Sequence, residues 1–322
     1  MKKPIAIIAG EPNSIASEII FKSWKLRKKY TKKPLFIIGS IQLLNSQKKK
    51  LKYQIKIKKI GKNFKINDFT GSELPVYDIK YYQKKPYEMI SNKSNKYIFE
   101  CFDKALKFSK SKKILGFINC PIAKEFLFEN QHQGITEFLG KKIKKKNEVM
   151  LIFNKKLSVS PMTTHISLSQ VNKKINQYKI VKKIKIINDF YRKVFHKKPF
   201  FAVLGMNPHN FSSLKNSEEK EIIEKAVKSL IKLKINITGP VSPDSAFMIY
   251  KKYKFDVIIG MYHDQVLTPF KALYNFEAIN ITLGLPYIRI SPDHGVAENI
   301  VGKNIANPSS LIESIKFFNY IK

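Results

Sequence analysis

Short, continuous apolar runs recur along this chain, and longer stretches of mixed polarity separate them. Such runs, bounded by Gly, Pro or Asn, are typical of strands that are buried on both faces of a sheet. They predict strands over Pro4–Ala9, Pro34–Ile38, Ile114–Asn119, Pro199–Leu204 and Asp256–Met261.

The stretches between these runs favour helices, which we predict over Ser17–Tyr30, Lys96–Ser109, Val171–Phe195 and Ser217–Leu233. The last of them begins with Ser217, an N-cap candidate, and with Glu218 and Glu219, whose charge suits the positive end of the helix dipole. Alternating strands and helices predict an α/β fold with a mostly parallel sheet. In such folds ligands bind at the carboxyl ends of the strands.

Length and composition agree with a folded enzyme-sized protein. With 322 residues, 43% of them apolar, the chain can bury a large core in two domains or one large α/β unit. The first apolar run is too short for a signal peptide, and no run approaches the roughly 20 residues that span a bilayer. Cys101 and Cys120 give no disulfide framework, so we expect a cytoplasmic protein.

The formal net charge of +36 first indicates a nucleic-acid or membrane partner. Only Arg27, Arg192 and Arg289 are arginines, however, and lysine supplies the remaining basic residues. Specific readers of phosphates and bases depend on the arginine fork, whereas these lysines are spread over nearly every polar stretch. We therefore expect a solvated basic surface that attracts anionic substrates, with no specific nucleic acid and no membrane as partner.

Three of the six histidines follow short apolar runs: His165 in MTTHISL, His209 in VLGMNPH and His263 in IIGMYHDQ. Neutral imidazoles bind borderline divalent metals, and three of them leave coordination positions open for a substrate. Taken singly, each is more often a hydrogen-bonded structural residue. Their wide separation means that a shared metal must be assembled by the fold or across subunits.

Other polar groups also follow predicted strands. The turn GEPNSIASE after the first strand lacks the glycine spacing of a dinucleotide fingerprint. Arg289, a rare arginine between apolar residues, is a stronger functional candidate than any lysine, although a structural ion pair would also explain it.

Several segments together resemble one known family in the same order and with similar spacing, from Gly10 to about Ile312. They are TTHISL, VLGMNPH, GPVSPDSAF, GMYHDQVLTPFK, NITLGLPYIRISPDHG and NIVGKNIANPSSLI. The family is 4-hydroxythreonine-4-phosphate dehydrogenase of pyridoxal phosphate biosynthesis. The resemblance implies two α/β/α domains like those of isocitrate and isopropylmalate dehydrogenases, with an active-site cleft between them. We expect a nucleotide-side domain over residues 1–128 plus 275–322 and a metal and dimerisation domain over residues 129–274.

The implied reaction is the NAD-dependent and metal-dependent oxidation of 4-phosphohydroxy-L-threonine at C3. Decarboxylation of the product then leaves 3-amino-2-oxopropyl phosphate. The metal is left open among Zn, Mg, Co and Mn, because imidazoles accept all of them. NADP also stays possible, although no arginine lies within Asp293–Pro308 to bind its 2′-phosphate.

The family's functional residues match positions of this chain. The resemblance implies a metal bound by His165, His209 and His263, the last from the partner subunit of a homodimer. It implies substrate contacts at Thr136, Lys271, Asn280 and Arg289. The nucleotide loop would be Asp293–Pro308, with contacts at Asp293, His294, Gly295, Ala297, Gly302 and Asn307.

Two further roles concern catalysis. Lys271 or Asp264 could serve as the general base, as could a metal-bound hydroxide, and no spacing chooses among them. Asp264 and Asp244 could orient the ligand histidines.

Two departures from the family pattern affect these expectations. Ile135 stands where the family usually has a histidine that contacts the substrate, and its side chain cannot donate a hydrogen bond. Asn304 replaces the second glycine of a G-x-G in the nucleotide loop, a tolerable change because asparagine visits the left-handed region.

The change at Ile135 keeps a second activity open, namely a related dehydrogenase of a 4-phosphorylated sugar acid such as phosphothreonate or phosphoerythronate. A nucleic-acid-binding protein on a decayed enzyme scaffold is a third hypothesis, from another class. The complete set of three histidines speaks against the third hypothesis.

Overall fold

The computed structural model describes residues 3–128, Ile135, and residues 148–211, 216–275 and 277–321. Its strands are β1 (Ile5–Ile8), β2 (Leu35–Gly39), β3 (Ile57–Ile60), β4 (Leu74–Asp78), β5 (Gly116–Asn119), β6 (Val149–Phe153), β7 (Ser158–Pro161), β8 (Phe201–Leu204), β9 (Ile237–Val241), β10 (Val257–Gly260), β11 (Ile279–Leu283) and β12 (Ile288–Pro292). Its helices are α1 (Ala16–Leu26), α2 (Ile41–Lys50), α3 (Asn95–Lys110), α4 (Lys124–Leu127), α5 (Leu168–Lys174), α6 (Gln177–Phe195), α7 (Lys225–Lys232), α8 (Pro243–Tyr253), α9 (His263–Tyr274) and α10 (Ser309–Phe317). Within these described ranges, no helix is long and apolar enough to cross a membrane.

The chain divides into two compact units, of which unit 1 comprises Met1–Gln133 and Pro286–Lys322. Its strands lie in the order β3-β4-β2-β1-β5-β12, and each neighbouring pair is parallel. All residues of β1, β2 and β5 are buried, because helices such as α3 cover the sheet. This double burial explains their uninterrupted apolar runs.

Unit 2 comprises Gly134–Leu285. Its strands lie in the order β11-β6-β7-β10-β8-β9, in which β11, β6 and β7 are antiparallel neighbours and β7, β10, β8 and β9 are parallel neighbours. Strand β10 lies in the middle of the parallel part, and Ile258 joins Leu204 and Phe270 in one buried cluster. The α/β fold with a mostly parallel sheet is confirmed.

The single helix predicted over Val171–Phe195 is wrong. The structure has two helices there, α5 and α6, because Ile175 and Asn176 adopt extended backbone conformations between them. The Asn176 side chain accepts a hydrogen bond from the Lys179 amide at 2.9 Å and so caps α6. Hydrophobic periodicity continues through this position, whereas the cap is a local hydrogen bond that periodicity does not report.

Gly10 lies just after the first strand in a conformation that only glycine adopts easily, with a φ of 79°. A Cβ at this position would clash with the backbone oxygen of Pro121, which cannot swing away as a side-chain end can. We expect Gly10→Ala to lower the free energy of unfolding by about 2 kcal/mol or more, measured by urea unfolding. Gly61→Ala is the control, because a Cβ there meets nothing within 4 Å. Equal stability losses in the two variants would contradict the clash.

Candidate functional site

The three candidate metal ligands follow three neighbouring parallel strands of unit 2. His165 follows β7, His263 is the first residue of α9 after β10, and His209 follows β8. Because β10 pairs with both β7 and β8 in parallel, the carboxyl ends of the three strands meet at one edge of the sheet. The fold thus places side by side three loops that are far apart in the sequence.

His165 and His263 lie close together, with 6.3 Å between their ring centroids. Metal–nitrogen bonds of about 2.1 Å put two imidazole centroids about 5 Å apart around a tetrahedral ion, so this pair is slightly open. Among the described residues of one chain, no group of three or more His, Cys, Asp or Glu side chains could hold a metal ion. The donor chemistry fits a divalent metal, but the described residues of one chain do not bring three such donors together.

Two carboxylates accompany these histidines. Asp264 Oδ1 lies 2.6 Å from His263 Nδ1, an arrangement that orients the ring and leaves Nε2 as its outward nitrogen. Asp244, in the first turn of α8, accepts a hydrogen bond from Ser242 Oγ at 2.7 Å. This bond, and more weakly the charge of His209, lowers the pKa of Asp244. Asp264 therefore contacts His263 directly, whereas Asp244 interacts with His209 only through its charge.

Side-chain bridges join the strand ends that carry these loops. Gln265 accepts from the Met261 amide at 2.6 Å and donates to the Gly205 carbonyl at 2.8 Å, so it connects the ends of β10 and β8. Thr163 Oγ1 donates to the Met261 carbonyl at 2.8 Å and connects β7 to β10. These bonds hold the three loops in a fixed relation to one another.

Glu219 fixes the start of the His209 loop from a distance. It lies in a π-helix, Glu219–Glu224, is 1% exposed, and accepts from the Met206 and Asn207 amides at 2.9 and 2.8 Å. Burial opposes its ionisation, but the hydrogen bonds from Asn207 and Met206 outweigh burial and hold the pKa of Glu219 below its usual value. The sequence pattern predicts only a helix-dipole role for Glu219, because it contains no local signal for the contact with the His209 loop.

The residues of unit 2 that are predicted to contact the substrate, or to stand beside it, lie in different environments. Lys271 is exposed on α9, about 12 Å along the helix axis from His263. Asn280 lies on β11, and its Oδ1 is shielded from solvent and has no hydrogen-bond partner among the described residues, so a ligand donor there would relieve an unpaired acceptor. Ile135 is buried, 3% exposed. Thr136 lies outside the described residues.

In unit 1, Arg289 on β12 is 2% exposed, and its Nε donates to Asn119 Oδ1 at 2.8 Å. Asn119 is the last residue of β5 and is also buried. The neutral amide thus holds the guanidinium at the carboxyl end of the sheet. Nearby, burial raises the pKa of Tyr287, and the charge of Arg289 partly opposes this shift.

The predicted nucleotide loop, Asp293–Pro308, runs from the end of β12 to the start of α10. The Asp293 amide donates to Ser310 Oγ at 2.7 Å, and burial lowers the pKa of His294. A Cβ at Gly295 would meet nothing within 4 Å, so a ligand has room to approach the backbone there. Asn307 Oδ1 accepts from the Ser309 amide at 2.9 Å and supports the start of α10.

Three other residues shape the turns of this loop. Ala297, Gly302 and Asn304 have φ values of 50°, 73° and 62°. The left-handed conformation expected of Asn304 is therefore confirmed, and Tyr53 also donates to its Oδ1 at 2.8 Å.

Neutralising Glu219 tests the anchor of the His209 loop. We expect Glu219→Gln to lose about 1–2 kcal/mol of stability at pH 7, because hydrogen bonds to a charged acceptor are stronger. Since its folded pKa is depressed, the carboxylate stabilises the protein above its unfolded pKa, and this contribution is lost as the pH falls through the folded pKa. Urea unfolding should therefore show the gap to wild type closing below about pH 4. Glu221→Gln, an exposed residue of the same helix, is the control, and an equal loss in both would contradict the anchor.

Comparison with known proteins identifies relatives along the whole chain. The family model of the pyridoxal phosphate biosynthetic protein PdxA matches residues 31–318. A 4-hydroxythreonine-4-phosphate dehydrogenase from Sulfurihydrogenibium is 39% identical over 323 residues, covering 99% of this chain and 98% of the relative. A protein from Oceanobacillus iheyensis named "Putative D-threonate 4-phosphate dehydrogenase" is 31% identical, covering 98% of this chain and 96% of the relative.

Solved structures also resemble this chain over nearly its whole length. The 4-hydroxythreonine-4-phosphate dehydrogenase from Klebsiella pneumoniae has a TM-score of 0.83 and 29% identity, covering 99% of this chain and all of that one. Isocitrate dehydrogenase from Methylococcus capsulatus, 10% identical with a TM-score of 0.53, covers 99% of this chain and 86% of that one and confirms the predicted fold class alone. By its family model and its full-length relatives, this chain belongs to the pyridoxal phosphate biosynthetic protein PdxA family.

Proposed function

We propose that this protein oxidises 4-phosphohydroxy-L-threonine at C3 with NAD and releases carbon dioxide, leaving 3-amino-2-oxopropyl phosphate for pyridoxal phosphate biosynthesis. The observation that carries the proposal is the placement of His165, His209 and His263 at three adjacent strand ends, in a chain with full-length dehydrogenase relatives. The free cysteines Cys101 and Cys120 agree with a reducing compartment, the cytoplasm.

The three histidines would hold one divalent metal, Zn, Mg, Co or Mn. Such a metal supplies Lewis-acid polarisation of the substrate hydroxyl. Because the described residues of one chain do not bring three such donors together, we infer that a homodimer completes the site and that the partner subunit supplies the third ligand, His263. His165 and His209 are exposed and His263 is half-buried in the single chain, which suits a site covered by a second subunit.

The chain's own side chains would bind and orient the substrate. Lys271 and Arg289 supply positive charge for the phosphate, and Asn119 holds the Arg289 guanidinium in one orientation. Asn280 and Thr136 are the remaining substrate contacts, and the unpaired Oδ1 of Asn280 supports its role.

A nicotinamide held by Asp293–Pro308 would supply the hydride acceptor for C3, and Lys271 or Asp264 would accept the proton of the hydroxyl group. Asp264 and Asp244 would keep His263 and His209 correctly oriented. The bond between C2 and the carboxylate carbon then breaks, carbon dioxide leaves, and a proton returns to the resulting enol carbon.

Unit 1 would bind the cofactor through Asp293–Pro308, with contacts at Asp293, His294, Gly295, Ala297, Gly302 and Asn307. The open space beside Gly295 supports this assignment. NAD is preferred to NADP because the loop contains no arginine for a 2′-phosphate.

Oxidation of a 4-phosphorylated threonate is the second candidate activity. It is favoured by Ile135, whose buried apolar side chain cannot donate a hydrogen bond to the substrate. The relative named for D-threonate 4-phosphate also spans this chain, although at lower identity than the first-named dehydrogenase.

Comparing the two substrates decides between these activities. We expect NADH formation with 4-phosphohydroxy-L-threonine to exceed that with 4-phosphothreonate by at least about tenfold in kcat/KM, because sites built for a polar group reject analogues that lack it. The measurement is NADH absorbance with a panel of divalent metals. A larger kcat/KM for phosphothreonate would transfer the assignment to the second activity.

Removing one proposed ligand tests the metal site. His263→Ala should lose bound metal and at least about a hundredfold in kcat, because even residues that only support metal ligands contribute 10- to 100-fold. Metal content by mass spectrometry and NADH formation are the two measurements. His196→Ala is the control, since His196 is exposed and ends α6. Intact metal content and turnover in the His263 variant would disprove the ligand assignment.

A further inference from the structure

Two charged side chains of α1 contact the last part of the predicted nucleotide loop. Glu18 Oε1 accepts a hydrogen bond from the Ala306 amide at 2.6 Å. Lys22 Nζ donates to the Asn304 and Ala306 carbonyls at 3.0 and 2.8 Å. Lys22 Nζ also lies 2.8 Å from Glu18 Oε1, so a single ion pair forms hydrogen bonds with three backbone groups of the loop.

The burial of Glu18 indicates that the contact is specific. Its side chain is 1% exposed, and its Oε2 is shielded from solvent and has no hydrogen-bond partner within the part of the chain that the structure describes. Burying a charge is unfavourable unless it is paired, and an apolar residue of similar size often stabilises a core equally well. The Glu18–Lys22 ion pair is therefore better explained by its contacts with the loop backbone than by a contribution to the free energy of unfolding.

The loop depends on such outside contacts. Between β12 and α10 its regular structure in the described residues is one short 3-10 turn, Glu298–Ile300, and Ala297, Gly302 and Asn304 turn the backbone through left-handed conformations. The Ile15 amide just before α1 donates to the Val296 carbonyl at 3.2 Å and fixes the first part. Glu18 and Lys22 fix the last part.

We propose that Glu18 and Lys22 are positioning residues for the nucleotide cofactor, acting through the backbone of Asn304–Ala306 without touching the cofactor. The inference rests on the proposed function, because it takes Asp293–Pro308 as the cofactor loop. If the loop is already ordered before the cofactor binds, less conformational entropy is lost on binding. Glu18 and Lys22 therefore increase the affinity for the cofactor.

Two variants distinguish the effect of the charge of Glu18 from the effect of the hydrogen bonds that Lys22 donates to the loop. Glu18→Gln keeps the size of the side chain and an acceptor oxygen for Ala306 but removes the charge that pairs with Lys22. Lys22→Met keeps much of the length but removes both carbonyl contacts. We expect the dissociation constant for NADH to rise about tenfold or more in each, because hydrogen bonds to charged groups are worth that factor. We expect kcat at saturating NAD to stay within about twofold, because neither residue contacts the reacting atoms.

The measurements are NADH fluorescence titration of the metal-loaded full-length protein and hydrogen–deuterium exchange without cofactor. In the variants, exchange should accelerate in peptides covering 293–308 and stay unchanged in peptides from unit 2. Glu224→Gln is the control, since it breaks a more exposed i,i+4 pair with Lys228 on another helix.

Wild-type affinity and wild-type loop exchange in the two α1 variants would overturn the inference. Accelerated exchange throughout the chain, with a matching fall in kcat, would also overturn it, since that result indicates general destabilisation. If the wild-type protein itself bound no NADH, the proposed cofactor would be wrong and the inference would fail with it. The titration of the wild type therefore distinguishes the two failures.

Discussion

The parallel hydrogen bonding of β7, β10 and β8 is the constraint on which the candidate site depends. Val257 pairs with Ser158 on one side and with Phe201 on the other, so the three strands begin level. Strands of equal length that begin level also end level, and the loops after them leave the sheet at one edge. Loops leaving an antiparallel sheet would have been distributed over both edges.

Two of these loops place a histidine in a strained backbone conformation. His165 and His209 have φ values of 45° and 49°, a conformation that costs residues other than glycine roughly 1 kcal/mol or more. The bonds of Gln265 with Gly205 and of Glu219 with Asn207 support the start of the His209 loop, and the bond of Thr163 with Met261 supports the His165 loop. Strain at two candidate ligands, and support around them, are what a preorganised site requires.

Most of the lysines form a solvated surface, whereas a few buried charges organise the molecule. Glu18, Glu219 and Arg289 are each 1–2% exposed, and each is hydrogen-bonded to a backbone or side-chain group that belongs to a proposed functional segment. The exposed lysines thus give the protein a positive surface that attracts anionic ligands. The few buried charges have a different role, because their hydrogen bonds fix the positions of the loops.

Apolar runs and turn residues are local signals, so the α/β class, the buried strands and the position of each histidine after a strand could be predicted from the sequence alone. Three features became visible only in the folded chain: the 6.3 Å separation of the His165 and His263 rings, the cap by which Asn176 divides one predicted helix into two, and the contact of Glu219 with the His209 loop. The contact between Glu18 and Ala306 joins residues 288 positions apart. Such side-chain bonds to distant backbone groups exist only once the chain has folded, so no local pattern contains them.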